Sequence, residues 1–386
     1  MKIVLYDPLY SEKGHYERYS EYICKLLCSS NEIDKVYYFS DKPKLNWYLD
    51  SDKIQVIHNK LSKIEDIQTK FIEVKDTRLK KGKLIVSSFL HYYYVLKQLR
   101  SLKANRTIFL SQGQLSFWVP VLMFYKDYVV SVIILKWLFE TKGLRYWVNK
   151  IFKLFLKKSR ITFFTENIYQ ENTKYLSLSK TFVLADRFLT NLKPKSISVE
   201  PNKVSNKIKL LTLGTISSNK NPLEFLKQFN QLDDNVKSKF EYKIYGKIVE
   251  KNLGELLDLA NQIDSVILKD EYISQELYEE LMSEADFIVI PYSAEYLKYA
   301  TSGVMWDCFE KSKPILCPKH ELFMHYINLY QIGCVYDEEN FEIVFKKILS
   351  ERPSNIIELQ KNFEKLNKDF SFNNQASILV ENLTKN

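Results

Sequence analysis

Apolar positions along the 386-residue chain fall into two kinds of segment that alternate. Short runs rich in β-branched and aromatic residues stand at 2–7 (KIVLYD), 35–40 (KVYYFS), 54–59 (IQVIHN), 106–110 (RTIFL), 161–166 (ITFFTE) and 181–187 (TFVLADR), and they predict strands. Between them, 16–30 (YERYSEYICKLLCSS), 88–102 and 167–178 predict helices, and 117–160 reads as largely helical. The alternation resumes at 207–214 (KIKLLTLG), with further strands predicted at 242–246, 265–272, 286–293, 313–318 and 333–337. Helices are predicted there at 221–232, 251–263, 274–285, 303–312 and 340–351, and beyond that to the C-terminus. Strands taking turns with helices predict an α/β protein with parallel sheets covered on both faces. Residues 188–206 hold two prolines and no apolar period. The expected organisation is therefore a domain at 1–190, a linker at 191–206, a second domain at 207–368, and a C-terminal helix at 369–386 placed to pack back on the first domain.

Composition changes this picture little. Apolar residues make up 46% and charged residues 27%, ordinary for a globular protein of two or three domains. The five cysteines form no CxxC pair, and no histidine spacing fits a metal, so neither disulfides, nor structural zinc, nor any metal cofactor is expected. The chain opens directly on a predicted strand, and Lys126, Asp127 and Lys136 interrupt the apolar stretch 117–139, so neither a signal peptide nor a spanning helix is expected. Charge is more informative. Residues 1–200 carry 34 Lys and Arg against 19 Asp and Glu, and residues 201–386 carry 22 against 28, so the halves stand at +15 and −6. An anionic partner is expected for the first half.

The chain has only nine glycines. Gly14, Gly214, Gly246 and Gly303 follow predicted strands or open predicted helices, and Gly113 ends another strand. Each alone fits a structural turn, but three at strand ends in the second domain converge on one sheet edge, which favours a phosphate pocket. Thr301, Ser302 and Gly303 stand just ahead of a helix, where they suit an ordinary N-cap or amides offered to an anion. Lys220 follows Gly214 by six residues and could add an ammonium to a diphosphate, or be a solvated surface lysine.

Gly214, Lys220, "YG" at 245–246 and the block from ADFIVIPYS through SGVMWDCFEKSKPIL resemble the C-terminal domain of GT-B glycosyltransferases, most closely the retaining family 4 type. The likeness spans 207–340. It implies two doubly wound Rossmann-like domains facing each other across a cleft, and a sugar donor carried on UDP or GDP. In that family an Arg follows the glycine, and this chain has Thr215 there. The family also uses two Glu separated by seven residues, one for donor sugar hydroxyls and one for ribose hydroxyls. Asp307 at the second place puts Tyr299 at the first, and Glu295 comes four residues early. The resemblance thus implies donor contacts from Gly14, Gly214, Thr215, Lys220, Gly246, Tyr272, Thr301, Ser302, Gly303 and Asp307, with Glu295 toward the sugar. Tyr272 suits either stacking on the base or ordinary packing.

On the acceptor side, His15 is expected in the loop after the first strand, as a base or polarising group or as a capping residue. Ser111, Gln112 and Gln114 are candidate acceptor ligands. In 136–160, eight Lys and Arg accompany one acid. On a helical wheel Trp147 and Phe152 share an apolar face opposite Lys150, Lys153 and Lys157, which suits an anionic membrane surface or a helix packed on the core. No nucleic-acid module is recognisable. The expectation is a glycosyltransferase acting on a saccharide or polyprenyl-linked saccharide acceptor in bacterial surface polysaccharide assembly, peripheral at the cytoplasmic membrane face. The alternatives are a nucleotide-sugar epimerase on the same fold and a non-catalytic degenerate relative that only binds.

Overall fold

The computed structural model describes residues 1–7, 15–40, 51–58, 101–110, 130–134, 162–165, 180–183, 207–249, 254–297, 302–351 and 354–384, with isolated positions between 90 and 97. They fall into two compact units: residues 1–188 with 372–386, and residues 189–371.

The first unit is built on a seven-stranded sheet. Its strands are β1 (Lys2–Asp7), β2 (Lys35–Ser40), β3 (Ile54–His58), β4 (Arg106–Leu110), β5 (Val130–Ile134), β6 (Thr162–Thr165) and β7 (Lys180–Val183), in spatial order β3-β2-β1-β4-β5-β6-β7. Every pairing is parallel. β4 is buried along its whole length, as a central strand covered on both faces must be. Two helices supply the side chains packed with β1 and β4. The His15–Ser29 helix brings Tyr22, Ile23, Cys24, Leu26 and Leu27, and the Phe372–Thr384 helix brings Leu379, Val380 and Leu383. Buried Arg106 fastens the latter by donating from Nη1 to the Asn382 carbonyl at 3.3 Å.

Two expectations need correction here. The segment 117–160, read as largely helical, contains strand β5: the run VSVII, rich in β-branched residues that favour strands, pairs with β4 and β6. His15, expected in the loop after β1, is instead the first residue of a helix.

The second unit has six parallel strands: β8 (Ile208–Leu213), β9 (Phe240–Tyr245), β10 (Val266–Lys269), β11 (Phe287–Val289), β12 (Ile315–Pro318) and β13 (Gly333–Tyr336), in order β10-β9-β8-β11-β12-β13. The chain builds outward from β8 to β10, then returns to the other side of β8. That is the doubly wound order, and its direction reverses between β8 and β11. The core under one face is mostly aliphatic around a cluster of aromatic rings. Phe225 and Phe229 of the Pro222–Asn230 helix meet Tyr242, with Phe341 and Phe345 of the Phe341–Ser350 helix around them at ring separations of 4.9–6.5 Å. Such rings bury large apolar areas in edge-on or offset contact.

The loops after β8 and β9 lie back to back. A Cβ on Gly246 would collide with the carbonyl of Gly214, so only glycine allows the two backbones to pass. Gly254, at the start of the Gly254–Asn261 helix, has open space at the same position. Gly246→Ala is therefore expected to destabilise by about 2–4 kcal/mol. Gly254→Ala should change stability by less than about 1 kcal/mol, on the stabilising side. Urea denaturation of the two variants against the wild type checks the contrast.

Candidate functional site

The reversal of strand order between β8 and β11 leaves a crevice at the carboxyl ends of these strands, the usual ligand position in such sheets. Both of its walls come from the loops that leave the two strands. After β8, Gly214 takes φ +98°, a conformation open chiefly to glycine, and a Cβ there would lie 3.4 Å from the Lys220 Nζ. The ammonium thus sits over the Gly214 backbone. Lys220 ends a short 3-10 turn (Ser218–Lys220), and the left-handed Asn221 and Pro222 start the next helix straight after it. The chain direction therefore changes at Lys220 itself. After β11, the loop Ile290–Ser293 is tied across the crevice by the Ser293 amide donating to the Asn219 carbonyl at 3.0 Å.

Tyr292 stands between these walls. The Lys220 Nζ lies 5.5 Å from the centre of its ring, and its buried phenol faces the Ser302 hydroxyl. Among the described residues no carboxylate pairs with Lys220. Burial alone acts on its ammonium and holds it below the usual lysine range. The ring face attracts the cation by about 0.5–2 kcal/mol without cancelling its charge.

Ser302 is 1% exposed and caps the Gly303–Glu310 helix, its Oγ accepting from the Met305 amide at 3.1 Å. Gly303 and Val304 precede that amide at the helix start, where N–H groups have no partner within the helix. The first turn carries no acid. One turn on, Asp307 Oδ2 accepts from the Tyr278 phenol at 2.6 Å.

The structure thus brings Gly214, Lys220 and Ser302 to one crevice, with Gly303 and Asp307 on the helix that Ser302 opens. Thr215 is exposed beside Gly214, and Gly246 lies under it as a packing requirement. Glu295 is exposed on the short Ala294–Leu297 helix just past Tyr292. Tyr272 is 85% exposed beyond β10, and among the described residues no ring stacks on it. Gly14, Ser111, Gln112, Gln114, Trp147, Lys150, Phe152, Lys153, Lys157 and Thr301 lie outside the described residues, and of His15 only the backbone is described. Tyr278 and Tyr292 are the members that sequence reasoning missed.

Tyr292 also borders a cleft of about 500 Å³ lined by Glu224, Gln228, Lys319, Asp337, Glu338 and Glu339 among others. Lys319 pairs with Asp337 at 3.5 Å, leaving the cleft net acidic. Among the described residues, no group of three or more His, Cys, Asp or Glu side chains is arranged to hold a metal ion, and no helix is long and apolar enough to cross a membrane.

No family model matches the chain, and no curated protein matches it in sequence. Solved structures do match in shape. The N-terminal domain of Candida albicans trehalose-6-phosphate phosphatase is 10% identical, with 100% of this chain and 96% of that one covered at a TM-score of 0.65. WaaG, a glycosyltransferase involved in lipopolysaccharide biosynthesis, is 12% identical, with 100% of both chains covered at 0.57. A trehalose-6-phosphate protein from E. coli bound with UDP-2-fluoro glucose is 8% identical, with 99% of both covered at 0.64. The fold is accordingly GT-B, with two doubly wound Rossmann-like domains.

A desolvated lysine that no described carboxylate compensates opposes folding of the unliganded protein. Lys220→Met, which keeps the stem and removes the charge, is expected to leave the melting temperature of the ligand-free protein unchanged or raise it. Calorimetry on both proteins without nucleotide makes the comparison.

Proposed function

We propose that this chain is a glycosyltransferase that moves a sugar from a UDP- or GDP-linked donor to a saccharide acceptor. The observation that carries the reading is Lys220: an ammonium kept charged over Gly214, steadied by an aromatic face and held apart from any described carboxylate, at the point where doubly wound sheets bind phosphates. In sugar transfer the bond from the anomeric carbon to the diphosphate breaks, a bond to the acceptor oxygen forms, and the acceptor proton leaves. Negative charge grows on the departing diphosphate. Lys220 and the amides of Gly303 and Val304 are suited to stabilise it more in the transition state than in the bound donor.

Asp307 takes the ribose hydroxyls in this reading, and Glu295 with the acidic cleft beside Tyr292 takes sugar hydroxyls, to which carboxylates are good acceptors. That electrostatic division keeps the diphosphate on the lysine side. Retention of anomeric configuration, likeness to family 4 and independence of metal belong to the same proposal. So do a polyprenyl-linked acceptor, a role in surface polysaccharide assembly, and attachment of the basic 135–160 segment to the cytoplasmic membrane face. They rest on the sequence resemblance and on the excess of lysine and arginine in the first half.

Thermal unfolding in the presence of UDP, GDP, CMP and their sugar conjugates tests the donor site. At about 100 times its dissociation constant, a nucleoside diphosphate should stabilise the protein by roughly 2.7 kcal/mol. Lys220→Ala should abolish the shift, and a wild type that responds to none of these nucleotides would overturn the reading. The pH dependence follows from the depressed lysine pKa. A bound diphosphate holds the proton on Lys220, so affinity is greatest below the pKa of the free protein and falls as pH rises through it. The decline is expected to begin below the ordinary lysine value of about 10.4. Lys220→Arg, which stays charged, should flatten that alkaline limb in titrations across the same pH range.

A further inference from the structure

Tyr278 lies on the Gln275–Glu284 helix, which follows β10, and reaches across to the Gly303–Glu310 helix, which follows β11. Its phenol donates to Asp307 Oδ2 at 2.6 Å. Burial and the adjacent carboxylate both push the phenol far above its ordinary pKa, so it remains a donor at any working pH. The register between the two helices is fixed at two further places. Lys311 pairs with Glu279, one residue along from Tyr278. Lys313, 7% exposed, donates to the Ser283 and Ala285 carbonyls at 2.7 and 2.9 Å and so closes the C-terminal end of the Gln275–Glu284 helix.

These two cross-links help hold the Tyr278 hydroxyl against one oxygen of Asp307. A carboxylate free to rotate about its terminal bond presents its acceptors over a broad arc. One whose Oδ2 is held by a phenol presents them in a single plane. Asp has one methylene fewer than Glu and reaches less far toward a ligand, so its orientation matters more. We propose that Tyr278 is a positioning residue that sets the Asp307 carboxylate to receive the ribose hydroxyls, and so determines the preference of the site for ribonucleotides over 2′-deoxyribonucleotides. This rests on the donor-site reading above and adds to it the group that makes Asp307 selective. A merely structural bridge between two helices would support stability and leave sugar discrimination untouched.

The test is Tyr278→Phe, which keeps the ring and removes the hydroxyl. Dissociation constants are measured by calorimetry for UDP against 2′-deoxy-UDP, GDP against 2′-deoxy-GDP, and inorganic pyrophosphate. The wild type should favour the ribonucleotide by about tenfold, the scale of one well-formed hydrogen-bonding pair. Tyr278→Phe should bring that ratio close to one while leaving pyrophosphate affinity within about twofold, because the lysine side of the site is intact. An unchanged ratio in Tyr278→Phe, or a wild type that binds nucleoside diphosphates without preferring ribose, overturns the assignment of Tyr278 and leaves the diphosphate site standing. A wild type that binds no nucleotide, with Lys220→Ala indistinguishable from it, overturns both readings.

Discussion

Parallel pairing of β8 with β9 on one side and β11 on the other is the constraint from which the candidate site follows. A parallel neighbour can be reached only by a crossover, so every strand of the sheet ends at the same edge. Because β8 is the strand from which the chain departs in both directions, the loop after it turns one way and the loop after β11 turns the other. The space between them is a property of the topology before any side chain is specified. The residues then decide what fills it. Gly214 and Gly246 let two backbones pass where a methyl group would block them, and the short turn at Ser218–Lys220 lays a lysine across the opening.

The way that lysine is held is suited to binding. A carboxylate partner would stabilise the ammonium in the unliganded protein, but it would have to be displaced or repelled when an anion arrived. The face of Tyr292 offers a weaker, charge-preserving attraction, and burial makes the remaining charge more responsive to an incoming phosphate. The second half of the chain is net acidic, so this local positive charge is set by placement rather than by composition. Tyr292 also faces Ser302, so the lysine and the helix cap opposite share one buried neighbour.

The parts of this arrangement legible in the sequence are those whose signal is local. Each strand of the second unit is a short apolar run bounded by turn residues, and Gly214 and Lys220 lie six residues apart in one loop. What escaped is non-local or ambiguous. Tyr278 and Asp307 are 29 residues apart on different helices, and in a chain with 26 tyrosines nothing in either local pattern marks the pair. Strand β5 was hidden because Val130–Ile134 sits inside a longer apolar stretch, where helix and strand periodicities cannot be told apart. The Glu321–Tyr330 helix, ELFMHYINLY, passed unmarked between two strand predictions for a related reason. It buries Leu322, Phe323, Tyr326 and Tyr330, and its run of apolar and aromatic residues has few polar positions to give it a clear period.

The start of the Gly303–Glu310 helix shows why a cap and an anion site are not competing descriptions of one sequence. A helix opens with several amides that no turn of its own can satisfy. Ser302 takes the third of them, on Met305, and in doing so fixes the direction of the first turn. The amides of Gly303 and Val304 come before it, and Gly303 adds no side chain that would crowd an approaching oxygen. With a cap that took the first amide, or a bulky residue in place of Gly303, the same helix dipole would be present but harder to reach. The small residues ahead of this helix thus serve the fold and the proposed phosphate site through a single hydrogen bond, that of the Ser302 hydroxyl.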